Sequence, residues 1–134
     1  MATVQFPVAF QNTVANAFDD LVNAGAGAGE LEFTTSADTT FATPLLTLTL
    51  SDPAHGAAAA GVVTISGTPI SGSFSGNGTI ALGRYVDSNG NECARGNATL
   101  PGGGGMFILD NLTAATGLPV SLVSGSIAFL TATI

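Results

Sequence analysis

The chain has 134 residues, with two Arg and no Lys, one His, one Cys, no Trp, and a formal charge of −7 from nine scattered acids. That length suits a single domain with a sizeable core. Two cations cannot neutralise a nucleic-acid backbone or hold a polybasic contact to anionic lipid, so nucleic-acid and membrane partners are not expected.

Charged residues are 8% of the chain, against about 25% in ordinary soluble domains. So sparse a surface points to one partly covered by neighbouring chains. The many β-branched residues and the low charge argue against disorder. The opening Met1–Phe10 lacks the basic start and apolar run of an export signal, and no stretch reaches the ~20 apolar residues of a membrane span. Synthesis in a cytoplasm is the expectation. On that route the sequons at Asn77, Asn97 and Asn111 carry no glycan. One Cys forms no internal disulfide, so Cys93 reads as a small packed side chain.

In chain order, the spacing predicts a helix over roughly residues 7–24. Phe10, Val14, Ala17, Phe18 and Leu21 recur at helical spacing and are expected on one apolar face. Pro7 suits the first turn and Gly25 a C-terminal cap. Asn12, Thr13 and Asn16 form a neutral opposite face. Asp19 and Asp20 stand where the helix dipole disfavours acids, so packing must hold this helix, against a sheet or a neighbouring subunit. The Ala24–Gly29 repeat reads as a flexible connector, giving an N-terminal segment of residues 1–29 and a β domain of residues 30–134.

From Glu30 onward the period is two. Leu31 and Phe33 alternate with acids, and Leu46, Leu48 and Leu50 with Thr. Ala57–Ala60 fits either a helix or an extended run. Further strands are expected over residues 61–66, 72–74, 79–86, 97–100, 106–109, 120–123 and 126–134. Turn residues separate them, among them Asn77-Gly78, Asp87–Gly90, Pro101–Gly105 and Thr116–Pro119. Short strands at this spacing predict a mainly β fold, a β-sandwich or jelly-roll-like domain with one N-terminal α-helix.

Chemistry-bearing motifs are sparse. His55, in Asp52-Pro53-Ala54-His55-Gly56, has no nucleophile placed by a nearby motif and reads as a satisfied or surface side chain. Gly72–Gly76 fails the spacing of an esterase elbow. Asp87–Glu92 has its Gly and Glu in the wrong places for a calcium loop and reads as a hairpin tip, with Arg84 and Arg95 free to pair with Asp87 or Glu92. Gly102, Gly103, Gly104 and Gly105 precede no Lys-Ser or Lys-Thr and no helix, so they are not a phosphate loop. They read as a flexible spacer, or as a loop settled against a neighbour. No catalytic residue, metal or organic cofactor is expected.

Residues 1–65 resemble a family of small tailed-bacteriophage virion proteins. The matching stretches are Met1–Phe6, the helix with Asn12 and Asn16-Ala17, Glu30–Phe33 and, above all, Leu48–Gly61. The C-terminal run from Asn111 through Gly117 to residues 120–134 is similar to the same group, and residues 66–105 less so. In these relatives an aromatic often stands where His55 does, which implies a packing position. The resemblance implies a non-enzymatic virion structural protein, made in the host cytoplasm. A capsid decoration (cement) protein bound to the major capsid protein comes first, and a tail or tail-fibre component second. A bacterial adhesin-like module is the non-viral alternative. The phage resemblance also implies a homotrimer, for which the interface candidates are Phe10, Val14, Phe18, Leu21 and Gly102–Gly105.

Overall fold

The computed structural model describes residues 4–129. Among the described residues one helix, α1 (Val8–Val22), precedes ten strands: β1 (Glu30–Thr34), β2 (Leu46–Thr49), β3 (Val62–Thr64), β4 (Ile70–Ser73), β5 (Gly78–Thr79), β6 (Leu82–Val86), β7 (Glu92–Thr99), β8 (Phe107–Leu109), β9 (Thr113–Ala114) and β10 (Pro119–Ala128). The protein is mainly β with one N-terminal helix, as the alternation predicts. Eight strands form one curled sheet in the order β2-β1-β6-β7-β8-β10-β3, with β4 also paired to β10, and β5–β9 is a separate two-stranded ladder. Every pairing is antiparallel except β7 with β8.

The period-two pattern accounts for the curl. Leu46 and Leu48 turn inward while Thr47 and Thr49 face water, and the same inner face receives Leu31, Phe33 and Tyr85. Register sets Leu31 between Leu48 and Tyr85, and Phe33 between Leu46 and Gly83. A Cβ on Gly83 would lie 2.7 Å from the Phe33 ring and 2.8 Å from that of Phe107. Its absence lets those rings meet edge to face at 5.3 Å. The two ends of the sheet approach each other: Gly72 of β4 lies against Leu46 and Leu48 of β2, and Ser75 N–H donates to the Leu45 carbonyl at 2.9 Å. The enclosed core holds Phe33, Phe74, Ile80, Tyr85, Phe107 and Leu122, all essentially inaccessible.

Several local expectations are corrected. Ala57–Ala60 is neither helix nor strand but an irregular loop, bridged to the sheet by isolated pairs at His55–Ile65 and Ala59–Val62. Asn77-Gly78 does not only turn the chain, because Gly78 begins β5. The two strands expected over 120–123 and 126–134 are one strand, β10, with an irregularity between Leu122 and Ser124. The remainder of that expectation, residues 130–134, lies outside the described residues. Pro7 is the residue before the first helical turn, and the C-terminal cap is Asn23, not Gly25.

The expected helix face is also wrong. The residues that α1 buries are Gln11, Ala15, Phe18 and Val22. Of the predicted apolar face only Phe18 is inside, and Phe10 and Leu21 are about half exposed, at 46% and 50%. The reason lies on the flank of Asn12 and Asn16, read as a neutral opposite face.

Candidate interaction surface

Three polar side chains of α1 and that of its cap residue Asn23 stand at i, i+4, i+7 and i+11, and each accepts a backbone N–H from the 54–61 loop. Asn12 Oδ1 takes Gly61 N–H at 2.9 Å, Asn16 Oδ1 takes Ala58 N–H at 3.1 Å, Asp19 Oδ1 takes His55 N–H at 3.0 Å, and Asn23 Oδ1 takes Ala54 N–H at 2.9 Å. The loop runs antiparallel to the helix, so its amides meet the side chains in reverse order. An irregular segment leaves its N–H groups without ladder partners, and each would be costly to bury unpaired. The helix supplies the missing acceptors, and the loop in return fixes the rotation of the helix.

Asp19 is the centre of this seam. Its Oδ1 also accepts from His55 Nδ1 at 2.8 Å, and its Oδ2 accepts from Asn23 Nδ2 at 3.0 Å. A carboxylate accepts only, so Nδ1 carries the proton. In the neutral ring Nε2 is then bare and takes the Tyr85 hydroxyl at 2.9 Å. These donors explain how an acid survives near the helix C-terminus, where the dipole opposes it. His55 is buried against the Phe18 and Tyr85 rings, and Phe129 packs on Phe18. Burial, followed by the Asp19 charge, pushes the Tyr85 hydroxyl well above the ordinary phenol range. With Tyr85 wholly inaccessible, the Asp19–His55–Tyr85 chain acts as an internal strut between helix, loop and sheet. The packing position implied for His55 is the one it occupies.

Cys93 is not part of that chain. Its thiol lies 3.6 Å from the Asn91 carbonyl and 3.9 Å from that of Leu21. Burial and the Asp87 charge raise its pKa, which keeps it protonated.

Both cations of the protein converge on one place. Arg84 reaches Glu32 at 2.7 Å and Glu92 at 3.1 Å, while Arg95 meets Glu92 at 2.6 Å and the Thr39 carbonyl at 2.6 Å. The two guanidinium groups lie over the Phe41 ring, 4.7 and 5.1 Å from its centroid. Hydrogen bonds from Arg95, and more weakly from Arg84, hold the Glu92 carboxyl below its ordinary range. Of the expected partners, Glu92 is used and Asp87 is not. Asp87 closes its own turn, accepting from Asn89 N–H and Asn91 N–H at 2.9 Å each, which lowers its pKa.

Gly102–Gly105 forms a turn closed by hydrogen bonds to the end of β7 and the residue after it. Gly103 N–H donates to the Leu100 carbonyl and Gly105 N–H to Thr99 Oγ1. Gly102 and Gly104 have φ of +87° and +75°, and a Cβ on Gly103 or Gly105 would collide with Thr99. Glycine is required at all four positions by the turn itself. The turn is solvent-exposed as far as Gly104.

Of the interface candidates, Phe18 is therefore committed to the core, while Gly102–Gly104 lie on an exposed turn. Phe10, Val14 and Leu21 remain on an outward flank of α1, where Phe6 stacks on Phe10 with ring centroids 5.4 Å apart. This flank could not be recognised as outward from the sequence, because nothing local shows that Asn12, Asn16, Asp19 and Asn23 have backbone partners at positions 54–61. No helix among the described residues is long and apolar enough to cross a membrane. No family model, curated protein or solved structure matches the chain.

Proposed function

We propose that the protein is a structural component of a tailed-phage virion, a capsid decoration (cement) protein that assembles as a homotrimer on the major capsid protein and acts without enzymatic chemistry. The observation that carries this reading is the pairing of an uncharged, outward apolar flank on α1 with a surface whose two cations are already bound internally. Such a protein is suited to joining apolar surfaces and poorly suited to holding nucleic acid or anionic lipid. The family resemblance of residues 1–65 and 111–134 supports the virion role, and of the two places it leaves open the cement position is the first choice.

Protein stoichiometry in purified virions tests it. A copy number matching the capsid lattice is the expected result. A few to dozens of copies would assign the protein to the tail instead, and its absence from particles would overturn the virion reading. An apolar attachment also predicts that stripped protein rebinds equally well across a salt series, because screening acts on exposed charges.

A further inference from the structure

An asparagine followed by glycine is chemically labile, because glycine has no side chain to keep its amide nitrogen away from the preceding carboxamide. The chain has two such steps, Asn77-Gly78 and Asn89-Gly90, and the fold treats them differently. Asn77 Oδ1 accepts Thr116 N–H at 3.1 Å, and Gly78 is paired with Ala114 in the β5–β9 ladder. Asn89 stands exposed at the tip between β6 and β7. Its main-chain N–H donates to Asp87 Oδ1, but its carboxamide has no hydrogen-bond partner among the described residues. Every other asparagine side chain is held, Asn91 by Asp87 Oδ2 and Asn97 by Met106 N–H among them.

The glycine of this step is equally open. Gly90 has φ of +84°, and no atom lies within 4 Å of where its Cβ would stand. Its N–H donates to the Asp87 carbonyl at 3.0 Å. That bond closes an exposed turn, so water replaces it at little net cost when the tip opens. At Gly78 the same opening would have to break a ladder.

We propose that Asn89 is a self-modification site, at which the chain converts its own asparagine to aspartate or isoaspartate. The Gly90 amide nitrogen gives its proton to solvent base and attacks Asn89 Cγ. A new N–C bond closes a succinimide, the Cγ–Nδ2 bond breaks, and ammonia leaves with a proton from water. A water molecule then opens the ring at either carbonyl, leaving a carboxylate at position 89. No electrons change hands. The product carries one negative charge beyond the formal −7. Isoaspartate also adds a methylene to the backbone of the tip, which Ser88 Oγ anchors to the Ala24 carbonyl at 3.1 Å.

Peptide mapping of the full-length protein, aged in mildly alkaline buffer, is the test. With arginine only at 84 and 95 and no lysine, trypsin separates a peptide of residues 85–95, bearing Asn89, from one of residues 1–84, bearing Asn77. In the folded protein, conversion at Asn89 is expected to outrun that at Asn77 by more than about tenfold, because Asn77 must first give up its Thr116 bond and the Gly78 pairing. In urea the two rates are expected to converge. Asn89→Gln is expected to abolish the acidic variant that anion exchange resolves from the aged protein.

Equal conversion at both sites in the folded protein would overturn the selection of Asn89 by the fold. Conversion of Asn89 in urea but not in the folded chain would overturn the site itself, by showing that the Asp87 turn locks it. Persistence of the acidic variant in Asn89→Gln would place the modification elsewhere and overturn the assignment.

Discussion

Two polar clusters hold this molecule together by different physics. Along α1, neutral amides and one carboxylate hold the backbone of an irregular loop through short contacts, three of them partly buried and the Asn16 contact exposed. Around Phe41, two arginines and two glutamates form an ion-pair network at the surface, with Arg95 42% exposed. The first cluster replaces water at amides that have no ladder partner, so its partly buried bonds, those of Asn12, Asp19 and Asn23, count against an unsatisfied group. The second exchanges hydrated charges for paired ones in a medium that screens them, and contributes little per pair. Stability and orientation are therefore set on the helix side, although nearly all the charge pairing lies on the other.

The largest expected effect that separates the two is Phe18→Ala. Its ring joins the helix to Tyr85 at 5.2 Å and to Phe129 at 5.5 Å. Removing it should cost about 3–5 kcal/mol, read from the urea midpoint. Asp19→Ala leaves His55 N–H, His55 Nδ1–H and Asn23 Nδ2 without an acceptor, and should cost about 2–3 kcal/mol by the same measurement. A loss no larger than that of a surface charge would erase the distinction between the clusters.

Tyr85→Phe removes the hydroxyl from His55 Nε2 and should cost about 1.5 kcal/mol near neutrality. It also sharpens the comparison in alkali. Because the folded pKa of Tyr85 is raised, folding favours the protonated phenol. Its contribution is complete below the unfolded value of about 10 and is lost as pH rises beyond it. Tyr85 is the single tyrosine and the chain has no Trp, so tyrosinate absorbance reports this residue alone. Ionisation should coincide with unfolding, and the phenylalanine variant should lose the alkaline slope.

Asn16→Ala deletes one rung of the ladder and should cost about 1 kcal/mol. Arg95→Ala is placed last, with a thermal midpoint close to wild type. Its visible consequence lies in acid. The lowered pKa of Glu92 means that its pairing stabilises the fold above the ordinary glutamate range and is lost as pH falls. Without Arg95, acid titration of stability should become shallower there.

Much of the fold could be read from local pattern. Alternation at Leu31/Phe33 and Leu46/Leu48 identified strands and their inner faces, because a strand's period of two is a property of its backbone. The hairpin tip at Asp87–Gly90 followed from turn chemistry, and the existence of one helix from its apolar spacing. The orientation of that helix did not follow. Phe10, Val14 and Leu21 carry the stronger hydrophobic signal, yet Gln11, Ala15 and Val22 are inside.

Hydrophobic periodicity assumes that polar side chains seek water, but Asn12, Asn16, Asp19 and Asn23 found backbone amides 31 to 49 residues away along the chain. The same long-range closure turned Ala57–Ala60 from an ambiguous run into the loop that the helix holds. It also made His55 a strut with Asp19 and Tyr85. Sequence alone determined which segments alternate, where the chain turns, and that the chain carries only two arginines and no lysine. Tertiary structure decided which flank of α1 faces outward, because that choice depends on acceptors for amides that only the folded chain brings together.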